Sequence, residues 1–486
     1  MTKHKKMTKE EQKANLIAGS KMYNIKPDYT LLILAAIVAI GATFRIYHLD
    51  YNSIWLDEAA TYIHSLTLSG IFDYTNSVDY FNPPLFPLFE FVMIQIAGAS
   101  EWGLRFFPAL FGILTIPAAY LMGKEFHDKY TGLITAIIFA LSPFLIYYSQ
   151  EARSFSMLLF LCTVLMYVFL KALKTNSRKD WAAFGIVAAV TFATHFYGAV
   201  FIAILVIFAA VQYRNNLKEL LYGLTGLLLV LPLILLTVLL YFQRISVGAP
   251  TYGLQGMDVI AGTLTQLAGF TGGYSGVIFL ILVAIGGIWL TFKNKERIYL
   301  LVWIITATFV VSIIASSHIP ILPRYMIFLM IPFSLAIASL YTPIANLTSN
   351  GTKHLALIAV FLVAFGMLGI PFYQTYYTTY YKEDWRGIGR DMSLDTKPGD
   401  VIVPLPAYIE MPFSIYYNAS AHGTTIYKAT NISELKNSMN PDVNRSTYYI
   451  ITYDIVAADP SLEMLNWVGK NIPINSRYGN IIVLKR

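Results

Sequence analysis

Adjacent carboxylates stand at Asp57 and Glu58, in the run Ser53-Ile54-Trp55-Leu56-Asp57-Glu58-Ala59-Ala60. Their aromatic and apolar neighbours make this more than a solvated face, and a carboxylate held there can take a proton from a reacting hydroxyl. Single arginines punctuate apolar sequence at Arg105, Arg153, Arg244 and Arg324, with Glu151 just before Arg153 and lone histidines at His195 and His318. A guanidinium offers bidentate, charge-assisted hydrogen bonds to an oxyanion. The set therefore fits acid-base chemistry beside a developing negative charge. Each member also has a plainer use: an arginine at a span end can reach lipid phosphates, and a histidine at a helix break can serve as a hydrogen-bonded structural residue.

Membrane helices must position these groups. Of 486 residues 56% are hydrophobic and only 13% charged, and a mean hydropathy of +0.56 leaves too little polar surface for a soluble body. A span needs ~20 largely apolar residues to cross a hydrocarbon core of ~30 Å. The sequence predicts eleven, near 30–47, 104–123, 130–148, 153–172, 181–195, 197–213, 219–242, 275–293, 298–317, 324–342 and 354–372. The first lacks the small-residue cleavage site of a signal peptide. Cys162, the only cysteine, excludes an intramolecular disulfide and a Cys-based metal site and reads as packing.

Residues 83–97 are apolar but short, and contain Glu90 and Gln95. Treated as an interfacial helix, they leave the lysine- and arginine-rich short loops (Lys124/Lys129, Lys171 to Lys179, Arg214/Lys218, Lys293 to Arg297, Lys353) on the side of the basic N-terminal tail. The positive-inside rule makes that side cytoplasmic. The expected layout is a cytoplasmic tail at 1–29, a membrane module at 30–372 with a first outer loop at 48–103, and an extracytoplasmic segment at 373–486 in the plasma membrane of the cell. Asp57, Glu58, Arg105, Glu151, Arg153, His195, Arg244, His318 and Arg324 then share one level outside the bilayer. Ionisable groups near hydrocarbon are costly and mark function by default.

Five stretches occur together in order: Trp55-Leu56-Asp57-Glu58-Ala59; Asn82-Pro83-Pro84-Leu85; Glu101-Trp102-Gly103-Leu104-Arg105-Phe106-Phe107-Pro108; Tyr148-Ser149-Gln150-Glu151-Ala152-Arg153; and Pro323-Arg324-Tyr325, with Glu383-Asp384-Trp385-Arg386 beyond the last span. In this pattern the chain resembles the protein O-mannosyltransferase-like, polyprenyl-phosphate-sugar-dependent glycosyltransferases of the GT-C fold, prokaryotic members included. Some relatives, such as the lipid A aminoarabinose transferases, carry Glu-Lys before the Pro-Pro-Leu turn for a metal and for the carrier phosphate. Phe81-Asn82 stand here instead. No cofactor is therefore expected, and a divalent metal is not favoured.

The resemblance implies an inverting transfer of a sugar, a hexose such as mannose, from a polyprenyl phosphate to a hydroxyl of a glycan, lipid or protein acceptor. It implies Asp57 as base, Glu58 orienting Asp57 or positioning the acceptor, and Arg105 fixing the carboxylate pair. Glu58 as a simple ion-pair partner of Arg105 or Arg153 is nearly as well supported. Arg153, Arg244 and Arg324 would stabilise the departing phosphate, and Glu151 and His195 would line the same pocket. No motif for a nucleotide sugar or for nucleic acid is present. A transporter or lipid-linked sugar flippase is the main alternative, but the chain lacks the two related halves expected of one. A Trp-Trp-Asp-Tyr-Gly run, expected of an oligosaccharyltransferase, is also absent.

After residue 372 the composition turns polar and tyrosine-rich. Helices at 385–394 and 461–469 and strands at 401–403, 424–427, 448–451 and 480–484 predict a small α/β domain over the site. Acceptor recognition and simple capping are equally open roles for it.

Overall fold

Each apolar run forms a helix, but proline and serine decide where helices stop. The computed structural model describes residues 29–76, 82–247, 252–269, 274–347, 353–379, 382–438 and 444–486, so the expected basic tail lies almost wholly outside the described residues. Seven helices among these are long and apolar enough to cross a membrane, or eight if one bent pair is a single span. The chain is a polytopic α-helical membrane protein carrying a small C-terminal sheet. Three of the eleven expected spans form helices of about the length the sequence suggests but short of the ~20 residues a span needs: Thr30–Ile46 and Phe196–Gln212 have 17 residues and Arg178–Phe192 has 15.

The expected span at 130–148 is broken, with a 60° bend between Lys129–Leu141 and Pro143–Ser149. Pro143 has no N–H, so the carbonyl of Phe139 loses its helical partner. A buried guanidinium replaces it: Arg45 donates from Nη2 to Phe139 O at 2.8 Å and from Nη1 to Ala140 O at 3.0 Å. The hydroxyl of Tyr373 donates to Leu141 O. Close packing at this break leaves no room for a side chain on Gly112, whose added Cβ would meet Ser149 Oγ at 2.2 Å. Gln150 then closes the end of Thr30–Ile46, donating to the carbonyls of Phe44, Arg45 and Tyr47. Those contacts fix the turn carrying Glu151 and Arg153 against the start of the first outer segment.

That segment holds three short helices, Leu56–His64, Leu68–Asn76 and Leu85–Ala97. The last has 13 residues, about 20 Å at ~1.5 Å per residue, shorter than the hydrocarbon core. It is too short to cross as a regular helix, and its Glu90 is fully buried.

Beyond the helices lies a five-stranded sheet ordered β2-β1-β3-β5-β4, with β1 Val401–Leu405, β2 Thr425–Ile426, β3 Thr447–Ile451, β4 Ile474–Tyr478 and β5 Ile481–Lys485. β1 runs parallel to β2 and β3, while β5 is antiparallel to β3 and β4. Alternate residues point to opposite faces. Ile402, Tyr448 and Ile450 pack with Trp385 and Ile388 on one face, and Val403, Tyr449 and Ile451 pack with Met464 and Val468 on the other. Burial on both faces makes these strands continuous apolar runs. β4, Ile-Asn-Ser-Arg-Tyr, was not expected: an edge strand largely open to solvent and polar in sequence carries no such run.

Candidate active site

Trp55, in extended conformation, starts the helix Leu56–His64, so Asp57 and Glu58 fall in its first turn. Adjacent helical residues diverge, and the two carboxylates take different environments. Glu58 is turned inward and fully buried. Arg105 binds it bidentately, Nε to Oε1 at 2.9 Å and Nη2 to Oε2 at 2.8 Å. The N–H of Ala152 donates to Oε1 at 2.8 Å, and Lys382 Nζ lies 3.0 Å away. Burial alone would raise the Glu58 carboxyl, but Arg105 and Lys382 more than offset it and hold the group at about 2. With both oxygens engaged, Glu58 makes the ion pair with Arg105 that the sequence allowed.

Arg105 also ties the loop before the helix, donating to the carbonyls of Leu49, Asn52 and Ser53 at 2.8–2.9 Å. One buried ion pair thus sets where Asp57 stands. Asp57 faces outward, its side chain 25% exposed, and contacts Arg324 Nη2 at 2.5 Å. Arg324 follows Pro323, which opens a 3-10 turn, and its guanidinium sits over the rings of Trp55 and Phe155 at 5.6 and 5.4 Å. Arg153 shares the Phe155 ring at 5.8 Å. Its Nη1 donates to Asp57 O, to Thr61 Oγ1 and to the Tyr74 hydroxyl.

The structure therefore brings Asp57, Glu58, Arg105, Glu151, Arg153 and Arg324 into one cluster, although residue 57 and residue 324 are 267 positions apart. Glu151 is buried and neither of its oxygens has a hydrogen-bond partner. Burial raises its carboxyl above the usual range. His195 serves as a helix cap, Nδ1 accepting from the Tyr197 N–H at 3.2 Å, which gives its ring a structural task. Arg244, in the last turn of Leu231–Val247, makes no hydrogen bond or ion pair with the described residues of the cluster, and His318 likewise joins none of these contacts. Among the described residues no three His, Cys, Asp or Glu side chains cluster as a metal site.

Lys382 was missed. It immediately precedes the Glu383-Asp384-Trp385-Arg386 run and looks in sequence like part of a solvated charged segment, yet its side chain is only 5% exposed. The same segment fastens the sheet domain to the first outer segment. Arg386 donates from Nη2 to Glu101 Oε1 at 2.6 Å and to Asp50 O at 2.8 Å, and the Tyr416 hydroxyl donates to Glu101 Oε1 at 2.7 Å. Glu101 thus has a docking role rather than a place in the pocket.

The profile of the family described as Dolichyl-phosphate-mannose-protein mannosyltransferase matches residues 82–241. An uncharacterized protein of Aquifex aeolicus is 29% identical over 130 residues, a stretch covering 25% of this chain and 26% of that relative. Among solved structures, ArnT from Cupriavidus metallidurans bound to undecaprenyl phosphate superimposes with a TM-score of 0.60 at 14% identity, over 94% of this chain and 98% of that one. The oligosaccharyltransferase AglB from Archaeoglobus fulgidus, in complex with an inhibitory peptide and a dolichol-phosphate, superimposes with a TM-score of 0.55 at 14% identity, over 93% and 74% of the two chains. Near-complete coverage at such low identity establishes the architecture: this chain has the GT-C glycosyltransferase fold.

Proposed function

We propose that the chain is an inverting glycosyltransferase that moves a sugar from a polyprenyl phosphate to an acceptor hydroxyl at the extracytoplasmic face of the membrane, with its N-terminus cytoplasmic. A hexose such as mannose is the sugar the sequence resemblance favours, and the acceptor is a glycan, lipid or protein hydroxyl. The observation that carries this reading is the contact of a partly exposed carboxylate, Asp57, with the guanidinium of Arg324 beside Arg153. Asp57 takes the acceptor proton as the acceptor oxygen bonds to the anomeric carbon. The bond from that carbon to the phosphate oxygen breaks, and its electron pair leaves with the phosphate. The diester becomes a monoester and gains negative charge, which preplaced guanidinium groups stabilise without reorganising. The ligands bound in those two solved structures, undecaprenyl phosphate and a dolichol-phosphate, are the carrier class this reading requires.

The reading is tested by incubating the purified full-length protein with undecaprenyl-phosphate mannose, undecaprenyl-phosphate glucose or GDP-mannose, and following each donor by mass spectrometry. Loss of hexose from a lipid-linked donor with release of undecaprenyl phosphate is expected. Turnover of GDP-mannose alone would contradict the donor assignment.

A further inference from the structure

Glu151 lies in the turn between Pro143–Ser149 and Phe155–Thr175, wholly buried and with both carboxyl oxygens unpartnered. The charged groups that face it are Lys382, Arg324, Glu58 and Asp57, and the phenols of Tyr147, Tyr148 and Tyr376 complete its surroundings. Three N–H groups nearby are also buried without an aligned acceptor: Nε of Arg153, Nε of Arg324 and Nζ of Lys382. Lys382 Nζ lies 3.0 Å from Glu58 Oε1, and burial pushes its ammonium below the usual range despite the pull of Glu58.

An ionised carboxylate buried with no hydrogen bond is costly, and taking up a proton relieves that cost. A protonated carboxyl is then a donor. The cluster so read has donors in search of an acceptor. Counting only the groups in direct contact within the cluster, and Lys382 in its protonated form, Arg105, Arg153, Arg324 and Lys382 contribute four positive charges against two negative ones on Asp57 and Glu58. A neutral Glu151 leaves a surplus of two. A phosphate monoester carries about −1.5 to −2 at pH 7, so the pocket matches the departing carrier better than the singly charged diester that enters. An ionised Glu151 would cancel half of that surplus.

We propose that Glu151 stands protonated and donates its hydrogen bond to the phosphate of the lipid carrier, in a cradle completed by Lys382 and the Nε–H groups of Arg153 and Arg324. This rests on the glycosyl-transfer reading above. Glu151 keeps its proton throughout transfer, since the acceptor proton goes to Asp57 and the electron pair of the broken bond stays on the phosphate oxygen.

The test is binding of undecaprenyl phosphate to the full-length protein in detergent at a series of pH values from mildly acid to mildly alkaline, for wild type, Glu151→Gln and Glu151→Ala. Glu151→Gln keeps an N–H donor and is expected to bind within about threefold of wild type at the acid end, whereas Glu151→Ala is expected to bind about tenfold or more weakly. Toward alkaline pH wild type weakens relative to Glu151→Gln as a carboxylate replaces the donor; an affinity ratio flat across the range, with Glu151→Gln still tight, supports a group protonated throughout. Glu151→Gln as weak as Glu151→Ala, Glu151→Ala as tight as wild type, or wild type gaining on Glu151→Gln as pH rises overturns the inference. If Glu151→Ala does not fold, Glu151→Gln against wild type decides alone. Wild type that binds no undecaprenyl phosphate at any pH overturns the lipid-carrier reading itself, whereas wild type that binds with the wrong order of variants overturns only the role of Glu151.

Discussion

Replacing Asp57 by Asn is expected to lower the rate of sugar transfer by about 10²–10⁴-fold, the range attributable to a positioned general base. Asparagine fills the same space and still offers a carbonyl oxygen to Arg324, so the geometry of the pocket changes little. What disappears is a group able to accept the acceptor proton. Asp57 is one-quarter exposed, and the asparagine keeps an acceptor for the mostly buried Arg324, so the fold should hold. Single-turnover loss of hexose from undecaprenyl-phosphate mannose, read beside a melting curve and undecaprenyl phosphate binding, separates these effects. Normal melting and binding with a rate at least a hundredfold lower is the expected pattern. A variant that retains more than about a tenth of the wild-type rate would remove Asp57 from the chemistry.

The sequence makes some of this site legible and hides the rest for physical reasons. Isolated arginines in apolar sequence stand out because their burial is costly, and Arg105, Arg153 and Arg324 do meet the acidic pair. Arg45 is equally buried and has a purely structural task at the break before Pro143, so rarity of charge finds buried arginines without separating structural ones from the rest. Lys382 escaped because its neighbours Glu383, Asp384 and Arg386 give it the look of a solvated segment. The direction of a side chain is not written in local composition.

Of the eleven expected spans, seven or eight are helices long and apolar enough to cross a membrane among the described residues. Hydropathy ignores the backbone, and the turn between Phe192 and Phe196 separates two apolar helices of 15 and 17 residues. In the sheet domain β1 and β3, buried on both faces, announce themselves as apolar runs. β4 depends on its partner β5 rather than on its own residues.

The largest stability effect is expected at the ion pair between Arg105 and Glu58. Both side chains are at most 2% exposed, so Arg105→Met leaves a buried carboxylate with Lys382 as its remaining cationic partner and frees the carbonyls of Leu49, Asn52 and Ser53. Breaking such a pair from one side costs about 3–5 kcal/mol. The acid dependence gives an independent measure. Glu58 titrates at about 2 in the folded chain against roughly 4.3 when unfolded, so its stabilisation is fully present above about pH 4.3 and is lost as pH falls through about 2. Arg105→Met should therefore be destabilised at neutral pH and should lose less further stability than wild type on acidification through that window. Denaturant midpoints in detergent at a series of pH values test both parts. Arg386→Ala, which breaks a pair whose arginine is 45% exposed, is the control and should cost no more than about 1 kcal/mol. Equal losses in the two variants would show that the pair at Glu58 is no stronger than a surface contact, and the orientation of Asp57 would then have to come from elsewhere in the fold.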